Sequence, residues 1–172
     1  MFNIDLSNFT KEYVSKIADD IRNQYCSSFP VNTVEIANNL GLTVYTYNEP
    51  NPDISGILDP QNQRIYINGN DYPLRQKFST AHEIGHWVLD YGCKAEPSDI
   101  PRYSYRNLLS SQGVNPSEMR ANFFAACLLM PEDIVRRAWI RNAYDIDNTA
   151  NELVVSRMAL AYRLEYLGLL NE

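Results

Sequence analysis

The stretch "FSTAHEIGHWVLD", residues 78–90, constrains the fold of this 172-residue chain most, because it contains the only two histidines. His82 and His86 are four positions apart and Glu83 follows the first, a coincidence on the order of one in a thousand for this composition. On an α-helix, residues i and i+4 share a face and lie about 6 Å apart along the axis. Two imidazoles so placed can bind one zinc ion, and the adjacent glutamate can reach the metal's water. The alternative is a pair of half-buried histidines on an ordinary amphipathic helix.

Patterns on either side of this stretch predict an α+β fold. Helical spacing of apolar residues predicts a helix over 10–25, and Asn32 and Gly41 punctuate a second, shorter one. Three β-like runs follow, and the last two are joined by "PQN", which is typical of a hairpin. We therefore expect a small antiparallel or mixed three-stranded sheet, with strands at 42–47, 54–59 and 63–68.

The histidines are predicted to lie on a long helix that packs on this sheet. Asp71 and Pro73 can begin the helix, which runs to about Tyr91 and is apolar on more than one side. Gly85, in its middle, costs about 1 kcal/mol relative to alanine. Two explanations remain open for it: a second backbone close to the metal, or close packing of another helix.

The second half of the chain is predicted to be helical after a long irregular connection over residues 92–116. Asn115 can cap a strong helix that ends at Met130-Pro131, and a further helix runs to about Asn142. The tail predicts two more helices that break at Val154-Val155 and resemble a helix-turn-helix pair. We expect a single domain, residues 1–172, made of N-terminal helices (1–41), the sheet and zinc-site helices (42–130) and a C-terminal helical region (131–172).

A catalytic zinc site needs a third protein ligand, and without a third histidine this must be Asp, Glu or Cys. Asp90 lies about 80° around the helix from His82, so its carboxylate would struggle to reach the metal. Cys93 and Glu96 are available but belong to the irregular connection.

Glu118 is a better placed ligand, since it begins a second strong helix. Asn122 follows one turn later and can support the carboxylate of Glu118 from behind. Glu118 also stands three residues after Asn115, which is the position where a glutamate caps its own helix. Spacing alone leaves both roles open.

Composition restricts the class of protein. The chain is 45% hydrophobic and 21% charged, as expected of a globular domain, and 15 Lys and Arg against 21 Asp and Glu disfavour DNA binding through phosphates. We find neither a signal-peptide pattern at the N-terminus nor an apolar run of about 20 residues that would span a membrane. The three scattered cysteines suit reduced thiols, so we expect a cytoplasmic protein that does not bind membranes.

The stretches "FSTAHEIGH" and "EMRANFFAACLLMP" together closely resemble the ImmA/IrrE family of bacterial and phage zinc metallopeptidases. The tail "VSRMALAYRLEYLGLL" is similar to the family's ending, so the resemblance extends over most of the chain from about Val31. Two positions depart from the family pattern: Ser79 replaces a threonine, and Arg120 stands where relatives often have an acidic residue. Neither departure affects the predicted ligands.

The resemblance implies a zincin-like helical core in which Zn²⁺ is bound by His82, His86 and Glu118, with Glu83 as the general base. It also implies an endopeptidase whose substrate is a cytosolic protein such as a helix-turn-helix repressor, or an antitoxin-like regulator, of a phage, mobile element or stress operon. The competing hypothesis is a binding protein, an anti-repressor or toxin–antitoxin component, in which the same zinc site is structural.

Two further predictions concern residues around the site. The group that stabilises the oxyanion must be a tyrosine, an arginine, an asparagine or backbone, and the candidates are Tyr66, Tyr103, Tyr105 and Arg106. Cys127 lies nine residues after Glu118, about 180° around that helix, and is expected to face away from the metal.

Overall fold

The structure is a computed structural model that describes residues 10–26, 28–94, 96, 101–105 and 115–170. Within these residues the fold is α+β, as predicted, with seven helices and one four-stranded sheet. The helices are α1 (Lys11–Tyr25), α2 (Thr33–Asn39), α3 (Pro73–Leu89), α4 (Pro116–Leu129), α5 (Glu132–Arg141), α6 (Ile146–Leu153) and α7 (Arg157–Tyr166). The strands are β1 (Thr43–Tyr47), β2 (Ile54–Asp59), β3 (Arg64–Asn68) and β4 (Arg102–Tyr105).

The sheet is mixed and has the strand order β1-β3-β2-β4. The predicted hairpin is present, since β2 and β3 are antiparallel, whereas β1 pairs with β3 in parallel. The prediction of three strands was wrong, because β4 lies inside the stretch predicted to be irregular and pairs with β2. A four-residue strand has too little alternation to recognise, and its partner lies more than 40 positions earlier in the chain.

Helix α3 occupies the centre of the molecule, packed on β2 and β3 on one side and on α4 on the other. Every residue from Ser79 to Leu89 is buried, which explains why apolar side chains occur around its whole circumference. The helix begins at Pro73, after Tyr72, rather than at Asp71, and it ends at Leu89.

Gly85 allows α3 and α4 to approach closely. A Cβ atom at Gly85 would lie 3.1 Å from the Cα atom of Ala121 and 3.2 Å from its carbonyl oxygen. The contact fits both explanations for this glycine, because another helix packs closely here and the atoms that it brings are backbone atoms. The helix concerned is α4, which also carries Glu118.

Helix ends follow the capping residues that the sequence offers. Asn32 accepts a hydrogen bond from the backbone N–H of Glu35, and Ser156 accepts one from that of Ala159. The tail forms α6 and α7, which are separated at Val154, a residue with left-handed backbone conformation. Among the described helices, none combines the length and the apolar character that crossing a bilayer requires.

Candidate metal centre

Three metal-ligating side chains meet where α3 crosses α4. The Nε2 atoms of His82 and His86 are 3.0 Å apart. The Glu118 carboxylate lies against both rings, with Oε2 3.1 Å from Nε2 of His82 and Oε1 3.2 Å from Nε2 of His86. All three residues are buried. Helical spacing places the two histidines together, and the close approach of α4 at Gly85 brings the glutamate to them.

The donor set fits a divalent cation. With a ring proton on Nδ1, His82 donates to Asn122 and His86 donates to Asp90, which leaves the two Nε2 atoms as the ones that would bind a shared cation. Glu118 Oε2 is buried and receives no hydrogen bond of normal geometry from the described residues. Ligand atoms about 2.0–2.1 Å from a tetrahedral zinc lie about 3.3 Å apart, close to the separations found here. The ligand atoms of the two rings and the carboxylate thus surround one point.

Electrostatics at the site favour positive charge at Nε2 of His86. Burial lowers the pKa of this imidazole, but hydrogen bonds with Asp90 and Glu118 outweigh burial and raise the pKa to about 9. Burial raises the pKa of Glu118, but the contacts with the two histidines outweigh burial and lower this pKa to well below its usual range. The carboxylates that favour a proton on His86 also favour a metal cation in its place.

Asp90 supports His86 from behind, a role that the spacing argument did not assign. Its Oδ2 accepts a hydrogen bond from Nδ1 of His86 at 2.7 Å, an arrangement common behind zinc-binding histidines. Burial raises the pKa of Asp90, but bonds to His86 and Ser117 and the nearby Arg102 charge lower it to about 2. Asp90 stands four residues after His86, so the signal was in the sequence: one helical turn separates a ligand from its support.

Side chains from three other positions hold Asp90 in place. Arg102, on the edge strand β4, donates to its Oδ2 at 2.7 Å and to the hydroxyl oxygen of Ser117 at 2.8 Å. Ser117 in turn donates to the same carboxylate oxygen, and Arg120 contacts Oδ1 at 3.4 Å. Arg120, a departure from the family pattern, therefore does touch the support of a predicted ligand.

Glu83 lies on the sheet side of α3 and is completely buried. A Cβ atom at Gly56, on β2, would lie 2.7 Å from Glu83 Oε1, so only glycine leaves space for this carboxylate. The negative charge of Glu83 contributes to the raised pKa of His86, so the carboxylate is electrostatically coupled to the metal centre. Sequence patterns did not single out Gly56, because its contact with Glu83 is between a strand and a helix and leaves no periodic signal in either element.

One predicted contact differs from what the structure contains, and the capping role that spacing left open for Glu118 is not the one that its side chain adopts. Asn122 supports His82 rather than Glu118: its Oδ1 lies 2.9 Å from Nδ1 of His82. The amide of Asn122 extends towards α3, whereas a contact with Glu118 would stay within α4. Asn115 caps α4 by accepting a hydrogen bond from the backbone N–H of Ser117, while the Glu118 carboxylate lies against the histidines.

Several alternative residues lie outside the cluster. Among the described residues, His82, His86 and Glu118 form the one group of metal-ligating side chains, with ligand atoms within 4.8 Å of one another. Cys93 and Glu96 are not part of that group. Cys127 is buried in the hydrophobic core, where burial raises the pKa of its thiol.

The tyrosines considered for the oxyanion lie on the other face of the sheet. Tyr66 and Tyr103 are register partners of Ile57, and cross-strand partners share a face. Residues next to Ile57 on β2, Gly56 and Leu58, face α3, so the two tyrosines face away from it. The side chain of Tyr105 and the whole of Arg106 lie outside the described residues.

The sequence and the fold are similar to those of known proteins. A family model described as the IrrE N-terminal-like domain, Peptidase_M78, matches residues 37–165. The radiation response metalloprotease IrrE of Deinococcus radiodurans is 39% identical over 80 residues, which are 46% of this chain and 23% of that protein. A Mycobacterium tuberculosis transcriptional regulator shares the fold with a TM-score of 0.65 at 15% identity, over 89% of this chain and 46% of the other. The chain thus spans less than half the length of these two relatives.

Proposed function

Because the chain belongs to the IrrE N-terminal-like peptidase family, we propose that it is a zinc-dependent endopeptidase that cleaves a protein substrate. The observation that carries the proposal is the convergence of His82, His86 and Glu118, together with the buried carboxylate of Glu83, whose charge acts on His86. A purely structural zinc site is closed by four protein ligands, whereas a catalytic site has three and leaves a position for water. The described residues supply three.

In this proposal the ligands are His82 and His86 through Nε2 and Glu118 through its carboxylate. When bound, zinc supplies a Lewis acid that polarises the scissile carbonyl and eases deprotonation of a water molecule. Asp90 and Asn122 hold the imidazoles in the tautomer that presents Nε2. Arg102 and Ser117 fix Asp90, so the orientation of His86 depends on β4 as well as on α3.

Glu83 is the proposed general base. Its carboxylate takes a proton from the attacking water and passes it to the departing amine nitrogen. Burial between α3 and β2 keeps this carboxylate in one position, and Gly56 leaves the space that it occupies. A water-poor environment also strengthens its interaction with positive charge at the site.

The substrate chain is proposed to extend the sheet at β4. The edges of the described sheet are β1 and β4, and β4 carries Arg102, which is bonded to the support of His86. An extended peptide paired with that edge would use main-chain hydrogen bonds and lie beside the metal centre. β1 is separated from β2, and hence from Glu83, by the whole width of β3.

The proposed substrate is a cytosolic helix-turn-helix repressor or antitoxin-like regulator, as the family resemblance implies. We treat residues 1–172 as one catalytic domain whose last helices dock a protein. A helix-turn-helix role in DNA binding is not favoured, because Arg157 pairs with Asp147 and Arg163 is buried, donating to the carbonyl of Met130. The second candidate function is a binding protein with the same metal site.

The test is to incubate the protein and its Glu83→Gln variant with zinc and a helix-turn-helix regulator from the same organism. Intact-mass spectrometry reports cleavage and complex formation together. We expect discrete fragments with the natural protein and none with the variant, and both proteins should bind one zinc. An intact regulator held in a complex by both forms would favour the binding protein instead.

A further inference from the structure

A large apolar groove opens from the metal centre towards the C-terminal helices. It has a volume of about 790 Å³, and His82 and Asn122 lie in its wall. Parts of α3, α4 and α7 form its sides. A concave surface of this size that begins at a metal site is typical of a binding cleft rather than of a packing fault.

Several large apolar side chains along the groove are exposed to solvent. Those of Met119, Met158 and Tyr162 are more than half exposed, at 56%, 66% and 60%. Tyr72 and Leu74, at the start of α3, and Val154, before α7, extend the same surface. An exposed apolar surface that is continuous in this way usually marks a site of interaction.

The charge around the groove has one sign. Lys11, Arg75 and Lys77 line it together with the buried Arg163, and among the described residues no aspartate or glutamate does, although the chain carries a net charge of −6. Lys11 lies over the ring of Tyr166 at 4.8 Å, and Lys77 donates to the carbonyl oxygen of Val154. An occupant that matches this surface has apolar side chains that contact the apolar residues of the groove and carboxylates that contact its basic residues.

We propose that the groove binds a segment of the protein substrate in which apolar residues are flanked by aspartate or glutamate. This inference rests on the proposed function, and it adds the class of sequence that the enzyme selects. Because His82 belongs to both the groove and the metal centre, a segment seated in the groove delivers the adjoining backbone to the catalytic groups. Binding energy from apolar side chains remote from the scissile bond would thus position that bond.

The test measures binding without cleavage, using the zinc-loaded Glu83→Gln protein. The probes are two fluorescein-labelled peptides of about 15 residues with leucines at i, i+3, i+4 and i+7, one with glutamates between them and one with lysines. Fluorescence anisotropy gives both dissociation constants. We expect the acidic peptide to bind more tightly, and no detectable binding of it, or equal binding of both, would overturn the proposal.

Two matched pairs of substitutions locate the binding surface. Met158→Asp, in the groove, should weaken binding of the acidic peptide at least about tenfold. Ile140→Asp should leave binding unchanged, because Ile140 lies outside the groove. It is a matched control, since its exposed fraction is 65% against 66% for Met158. Lys11→Glu should weaken the acidic peptide, and Lys16→Glu on the same helix should leave it unchanged. Equal effects within either pair would contradict the proposal.

Other occupants of the groove give different results. If a second copy covers the groove, sedimentation would show a dimer that Met158→Asp dissociates. If the chain's own N-terminal segment covers it, deletion of residues 1–9 would strengthen peptide binding. Either result would overturn the proposal. If the peptide binds as expected but no protein is cleaved by the natural form, the proposed peptidase function fails while the groove's specificity stands.

Discussion

At the scale of single residues, the candidate metal centre includes side chains that would not touch a bound metal. Asp90 and Asn122 each hold one imidazole through Nδ1, and Gly56 makes space for Glu83. Such supports act by restricting the ligands to one tautomer and one orientation, so their removal weakens the site without removing a ligand.

Asp90→Asn should weaken zinc binding about 10–100-fold. Its amide cannot accept from His86 with the strength of a carboxylate, and it leaves the Arg102 guanidinium without its anionic partner. The measurement is a competition titration with a chelator. Asp133→Asn is the control, because Asp133 forms an exposed ion pair with Arg137 on α5 and is not part of the cluster, and equal losses in both variants would contradict this role for Asp90.

Gly56→Ala should abolish most of the activity while one zinc ion stays bound. The added methyl group would lie 2.7 Å from Glu83 Oε1 and displace this carboxylate, and overpacking of this kind costs about 1–3 kcal/mol of stability. Gly69→Ala is the control, since its methyl group would meet Thr46 Cγ2 at 2.8 Å, away from Glu83. Activity per bound zinc separates the two variants, and an equal activity would show that Glu83 tolerates displacement.

At the scale of elements, the contact between α3 and α4 brings Glu118, the proposed third ligand, to the two histidines. Gly85 and Ala121 are both small, and they meet about one helical turn from Glu118. The sheet contributes at a distance, because β4 supplies Arg102 to the network behind His86. The geometry of the site therefore depends on two helices and one edge strand at once.

Gly85→Ala should lower zinc affinity more than it lowers stability. Alanine favours the helix by about 1 kcal/mol relative to glycine. This partly offsets the destabilisation of about 1–3 kcal/mol that overpacking against the backbone of Ala121 would cause. A small separation of the helices is then transmitted to Glu118. Zinc titration and thermal unfolding on the same variant provide the comparison, and unchanged zinc affinity with reduced stability would mean that Glu118 does not depend on this contact.

At the scale of the whole molecule, the metal should contribute to stability. The cluster lies between elements that are far apart in the sequence, so a bound ion ties α3 to α4 in the folded state only. Zinc at a hundred times its dissociation constant adds about 2.7 kcal/mol to the free energy of unfolding.

Addition of zinc to the metal-free protein should therefore raise the melting temperature by roughly 5–11 °C, given about 2–4 °C per kcal/mol for a domain of this size. Scanning calorimetry with and without a chelator measures the shift. His82→Ala should remove it, since the variant lacks one of the three ligands. An equal shift in this variant would mean that the stabilising zinc binds elsewhere.

The sequence alone determined the parts of this protein that depend on local spacing. The i,i+4 histidines, the cap at Asn32 and the break at Val154 are local properties of the chain, and the structure contains them where the patterns predicted them. The hairpin of β2 and β3 is equally local, because its strands are separated by a short turn.

Only the tertiary structure decided which distant residues meet. The pairing of β4 with β2, the choice of Asn122 as the partner of His82, the close approach of Gly56 to Glu83 and the groove beside α7 all join elements distant in sequence. Spacing along one element fixes directions relative to its own axis. Contacts between elements also depend on how the helices and the sheet pack, and that follows from burial of the whole core.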